Sequence, residues 1–208
     1  FFIRPFQLEQ GNLNMNKSIF SKFFSAILIV MMGLGAMPIT PAYAANTGLL
    51  SPTASVAGGG WTNPNNAFSS NNVYATSANG GQAVNYNNFG ITIPAGQQID
   101  GIEVLVEGST TGRDINVDLS WDNGTTYTTP INLNFGAAPD QTLTAGGTAN
   151  TWGRAWNPTT DFTNANFRVR ITSTGGGGAF SMDHVQVRVT YTPDVTVPSF
   201  TSIALQTP

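Results

Sequence analysis

The sequence predicts an all-β fold: a single-domain antiparallel β-sandwich of jelly-roll or immunoglobulin-like kind. Three observations carry this. Apolar and polar residues alternate at period two over several short segments, Gly, Asn and Pro punctuate those segments, and no stretch shows the spacing of a long amphipathic helix.

Residues 53–57 and 73–77 are short strand candidates at the start of the domain. Phe89, Ile91 and Ile93 then fall on one face of a strand stopped by Pro94-Ala95-Gly96. Ile102, Val104 and Val106 alternate with Glu103, Leu105 and Glu107, and Ile115, Val117, Leu119 and Trp121 with Asp114, Asn116, Asp118 and Ser120. Residues 126–131, 141–144 and 152–156 are weaker candidates. Phe167, Val169 and Ile171 alternate with Arg168, Arg170 and Thr172. Gly175 to Gly178 reads as a flexible hairpin loop before the last strand, where Val185, Val187, Val189 and Tyr191 alternate with His184, Gln186, Arg188 and Thr190. Strands of this kind form antiparallel sheets with one wet face each. Short strands without a βαβ rhythm pack as a sandwich.

The flanks read differently. Residues 1–14 lie ahead of the first Met and are taken as untranslated upstream sequence. Residues 15–44 have the three parts of a secretory signal: Lys17 and Lys22, an apolar run, and Ala42-Tyr43-Ala44 ahead of cleavage before Ala45. The β-sandwich domain is expected over 45–192. Residues 193–208 read as a linker and the start of a following immunoglobulin-like repeat.

Composition narrows the function. The chain has 8 Lys+Arg against 11 Asp+Glu, only 9% charged residues, and no Cys. From Ala45 onward five arginines face ten carboxylates and no lysine remains. This balance argues against nucleic acid, whose binding calls for a basic patch. The missing Cys excludes thiol nucleophiles and thiolate metal sites. Secretion or display at the cell surface is expected, with no membrane contact after signal cleavage.

No constellation of catalytic residues stands out, and the protein is not expected to be an enzyme. His184, the single histidine, sits beside Asp183 on the polar side of a strand; no G-x-S-x-G accompanies it, so a cross-strand hydrogen bond is expected. A glycosidase would need two paired carboxylates, and no pair is singled out. Asp100, Asp114, Asp118, Asp122, Asp140, Asp161 and Asp183 near loops are compatible with a structural calcium ion but follow no ligand spacing. No metal residue is assigned, and no other cofactor is expected. Trp152, Arg154 and Trp156 share strand parity, so indole and guanidinium could stack on one face. Exposed, that face would be a sugar platform; buried, an inter-sheet plug.

Ser120-Trp121-Asp122-Asn123-Gly124-Thr125-Thr126-Tyr127 resembles the Asp-box hairpin of sialidases and other secreted β proteins. In that family the motif is structural and repeated, whereas here it occurs once. The stretches 89–96 into 99–104, 152–156, 164–170 and 183–187 together resemble a jelly-roll-like module of large secreted bacterial surface or phage-associated proteins. That resemblance implies one bead among several and carries no catalytic residues. The expected function is a non-enzymatic extracellular structural or adhesive module of a larger surface protein, with other domains of that protein as partners. The alternative is a carbohydrate-binding module that docks glycans on Trp152, Arg154 and Trp156.

Overall fold

A computed structural model describes residues 43–136 and 140–194. The upstream segment, almost all of the expected signal and residues 195–208 of the expected repeat lie outside the described residues. Among the described residues there are eleven strands, in chain order β1 (Ala45–Asn46), β2 (Ala54–Ala57), β3 (Trp61–Thr62), β4 (Ala75–Ser77), β5 (Ala83–Asn87), β6 (Gln97–Thr110), β7 (Ile115–Ser120), β8 (Ile131–Leu133), β9 (Gln141–Gly147), β10 (Arg168–Ser173) and β11 (Phe180–Pro193). A 3-10 turn spans Pro64–Ala67, with Pro64 in its first turn, where a missing N–H is harmless.

The strands form two antiparallel sheets. The first is ordered β3-β4-β11-β6-β9, with β1 added to β11; the second is ordered β2-β5-β10-β7-β8. The protein is therefore an all-β antiparallel sandwich. Its core lies between the sheets. Ile102, Val104, Val106, Val185, Val187 and Val189 of the first sheet meet Val84, Ile115, Val117, Leu119, Val169 and Ile171 of the second, all fully buried. Burying each such side chain contributes about 1.5–3 kcal/mol, so the alternating strands supply the driving force without metal or disulfide.

Several expectations need correction. Residues 89–93 form no strand, because Asn88 (φ 57°) and Gly90 (φ 67°) are both left-handed and break the pleat. Phe89 and Ile93 are nevertheless buried, Phe89 edge-on to Phe167 at 5.9 Å. Most of 126–131 is irregular, and β8 begins only at Ile131. Gly175 to Gly178 is no hairpin loop: it carries the chain from β10 in the second sheet to β11 in the first. Arg113 holds that crossover. Its buried guanidinium donates to the carbonyls of Gly178 (3.0 Å), Thr174 (2.6 Å), Gly176 (2.7 Å) and Ala78 (3.3 Å). Thr190, expected on a wet face, is buried where β1 pairs alongside β11.

Candidate functional site

Residues 152–156 form no strand, so the shared parity of Trp152, Arg154 and Trp156 does not exist. Trp152 (φ 56°) and Gly153 (φ 76°) are consecutive left-handed residues, which makes a turn, and the Asn150 side chain accepts the Trp152 N–H at 2.8 Å. The turn lays the Trp152 indole on Gly146, and its Nε1–H donates to the Ile102 carbonyl at 2.9 Å. A Cβ at Gly146 would stand 2.8 Å from that nitrogen, so only glycine admits the ring. Trp152 and Trp156 are 6% and 7% exposed. Trp156 joins Phe162, Phe167 and Trp121 in an aromatic cluster. Arg154 lies over both Trp121 (3.9 Å) and Trp156 (4.3 Å) and pairs with Asp161 at 2.8 Å. Arg154 and Trp156 meet, whereas Trp152 packs on Gly146, and both indoles are buried in the core rather than exposed as a platform.

His184 is also engaged structurally. Its Nε2 lies 2.8 Å from the Ser51 hydroxyl, and its backbone bridges Phe68. Burial lowers its pKa below the usual imidazole range, against the carboxylates of Glu107 and Asp183 and a hydrogen bond with the Phe68 backbone, all of which raise it. Neutral imidazole then accepts the Ser51 O–H. Glu103, facing Arg188 across β6 and β11, forms a two-pronged cross-strand pair at 2.6 and 2.8 Å. Among the described residues no cluster of three or more His, Cys, Asp or Glu could hold a metal ion.

The outer face of the second sheet carries a different arrangement. Register places Val56, Asn85, Arg170 and Asp118 on one rung across β2, β5, β10 and β7. Arg170 and Asp118 form a two-pronged pair, Nε to Oδ1 at 2.8 Å and Nη2 to Oδ2 at 2.5 Å. Above this rung folds the segment that follows β7. Asn123 (φ 61°) and Gly124 (φ 82°) make its tight turn. The Asp122 carboxylate accepts the N–H groups of Thr125 (3.2 Å) and Thr126 (2.8 Å), while Ser120 Oγ accepts the Gly124 N–H at 2.9 Å. Burial pushes the Asp122 pKa up, but the hydrogen bonds from Thr126, Ser120 and Thr125 outweigh it and hold the carboxyl below its usual range.

The turn delivers Tyr127 onto the rung. Its ring lies over the Arg170 guanidinium, 3.5 Å from centroid to carbon, and its hydroxyl donates to Asn85 Oδ1 at 2.8 Å. One face of the ring is thus covered by the cation, and the residue as a whole is partly exposed. Beside it opens a pocket of about 330 Å³ lined by Val56, Asn85, Asn123, Gly124, Tyr127 and Arg168. Gly124 keeps the mouth clear, since a Cβ there would sit 2.9 Å from the Tyr127 hydroxyl. Sequence reading found the hairpin from its motif, but it missed Asn85 and Val56, which lie on distant strands and carry no motif of their own.

Fold and site together define a class: a β-sandwich module with a polar, aromatic-edged pocket on the outer face of one sheet. No family model matches the chain, and no curated protein does. Among solved structures the chain is similar to a family 32 carbohydrate-binding module in complex with 4,5-unsaturated mannuronic acid. That likeness has 14% identity and a TM-score of 0.40 over 67% of this chain and 96% of that one. The xylan-binding module of family 15 is 14% identical with a TM-score of 0.40, over 72% and 96%. A family 22 xylan-binding domain from Paenibacillus barcinonensis is 11% identical with a TM-score of 0.39, over 68% and 92%. At such values these proteins lend neither residue nor ligand to this chain.

Proposed function

We propose that this chain is a non-enzymatic carbohydrate-binding module of an exported protein, with its glycan site in the pocket between Tyr127 and Arg168. The alternative named from the sequence is thereby preferred to a purely structural or adhesive bead, and its platform moves from Trp152 and Trp156 to Tyr127. One observation carries the reading: a partly exposed aromatic ring stacked on a cation, in a pocket that also presents amide and guanidinium groups. The apolar face of a pyranose packs on such a ring, and its hydroxyls take hydrogen bonds from the polar surround. Val56, 59% exposed across the pocket, adds a second apolar contact.

The test titrates the full chain with a panel of soluble plant and bacterial polysaccharides, neutral and acidic, followed calorimetrically. Saturable binding that Tyr127→Ala removes, with the far-ultraviolet spectrum unchanged, supports the module. Absence of binding to every member, or binding that survives Tyr127→Ala, returns the protein to the bead reading.

A further inference from the structure

We infer that the pocket selects a sugar bearing a carboxylate, a uronic acid unit, and seats that carboxylate on Arg168 and Asn123. This rests on the glycan reading of the same pocket and names its ligand class.

The inference follows from a count of donors and acceptors. Arg154, Arg170 and Arg188 each hold a carboxylate, from Asp161, Asp118 and Glu103. Arg113 and Arg168 hold none among the described residues; Arg113 is taken up by the crossover carbonyls, whereas Arg168, 8% exposed, stands in the pocket wall. Its two terminal nitrogens donate to the carbonyls of Asn164 (2.9 Å), Phe167 (2.8 Å) and Ala165 (2.8 Å) and to Asn123 Oδ1. These contacts satisfy hydrogen bonds but leave the positive charge uncompensated. Four of five N–H groups are used, and the one on Nε has no protein acceptor among the described residues.

The amides repeat the asymmetry. Guanidinium can only donate, so the Asn123 oxygen must face Arg168 and its NH2 is left over. The Asn85 oxygen is taken by the Tyr127 hydroxyl, so its NH2 is left over as well. No Asp or Glu lines the pocket, and the nearby Asp118 is consumed by Arg170. The pocket therefore offers unused donors around a guanidinium that no carboxylate of the described residues pairs with. A neutral sugar, whose hydroxyls both donate and accept, uses this poorly; a carboxylate, which only accepts, matches it.

The chemistry is tested with oligogalacturonate and its fully methyl-esterified form, which keeps the rings and removes the charge. The full chain is expected to bind the acid about tenfold or more tightly than the ester, since a hydrogen bond to an ionised acceptor is roughly twice as strong as one to a neutral acceptor. Asn123→Asp, at an exposed left-handed position that Asp tolerates, gives Arg168 a carboxylate of its own. The acid-over-ester ratio should then fall to about twofold or less by the same logic. Equal binding of acid and ester, or a ratio untouched by Asn123→Asp, overturns the carboxylate selection. If a neutral polysaccharide binds in a Tyr127-dependent way while oligogalacturonate does not, this inference fails and the glycan reading stands. If nothing binds, both fail.

Discussion

The Arg170 guanidinium lies 3.5 Å from the centre of the Tyr127 ring while the same group grips Asp118 through two nitrogens. A carboxylate, a cation and an aromatic ring are thus stacked outward from the second sheet. Each layer fixes the next, since the buried Asp118 orients the guanidinium and the guanidinium orients the phenol ring. The rigidity of the pocket edge comes from a charge pair beneath it rather than from apolar packing around it.

Arg170→Met should therefore do two things. It strands the Asp118 carboxylate, at a cost of about 2 kcal/mol, below the roughly 3–5 kcal/mol of a fully buried pair because Arg170 keeps part of its side chain in solvent. It also frees Tyr127 and weakens glycan binding. Urea denaturation measures the first effect, and adding Asp118→Asn should recover part of the loss. A single variant as stable as the parent would show that the stack contributes nothing.

Trp152→Ala separates plug from platform. Removing an indole packed on Gly146 and bonded to the Ile102 carbonyl should lower stability by about 3–5 kcal/mol. At temperatures where the variant remains folded, its glycan affinity should match the parent. A melting temperature unmoved by the substitution would contradict the buried position.

Val187→Asp places an unpaired charge between the sheets and should abolish cooperative unfolding, because a buried carboxylate has no partner there. Thr144→Asp on the exposed side of β9 should shift stability by no more than about 0.5 kcal/mol. Equal tolerance of the two would place the register of the first sheet in error.

Stability should also fall on mild acidification. Histidine in the unfolded chain binds its proton near pH 6.5, to within about a unit, while burial holds His184 below its usual range in the fold. Below pH 6.5 the unfolded state carries more protons, so stability declines there until the folded imidazole also protonates. His184→Gln, which can still accept from Ser51, should flatten the decline between about pH 7.5 and 5.5. Asp122, held below its usual range by its hydrogen bonds, is protonated only at lower pH and separates cleanly from this window. Chemical denaturation at several pH values decides it; an unchanged slope in the variant would point to another group.

The sandwich is legible in the chain because alternation is a local property: in β6, β7, β10 and β11 every second residue faces the core, whatever strand lies alongside. The sequence also marked the turn at Asn123-Gly124, where the side chains that close the turn lie within a few residues of each other. It failed at 152–156, where parity assumed a strand and the left-handed backbone of Trp152 and Gly153 made a turn instead. Which aromatic keeps contact with solvent depends on long-range packing. Trp152 is buried where it packs on Gly146, and Tyr127 stays partly exposed where its ring stacks on Arg170. The pocket joins Val56 and Asn85 to Asn123 and Arg168 through the pairing of β2 with β5 and of β5 with β10. Strand order is set by which sheet faces fit together across the core, and that free energy is spread over the whole chain rather than written at any one position.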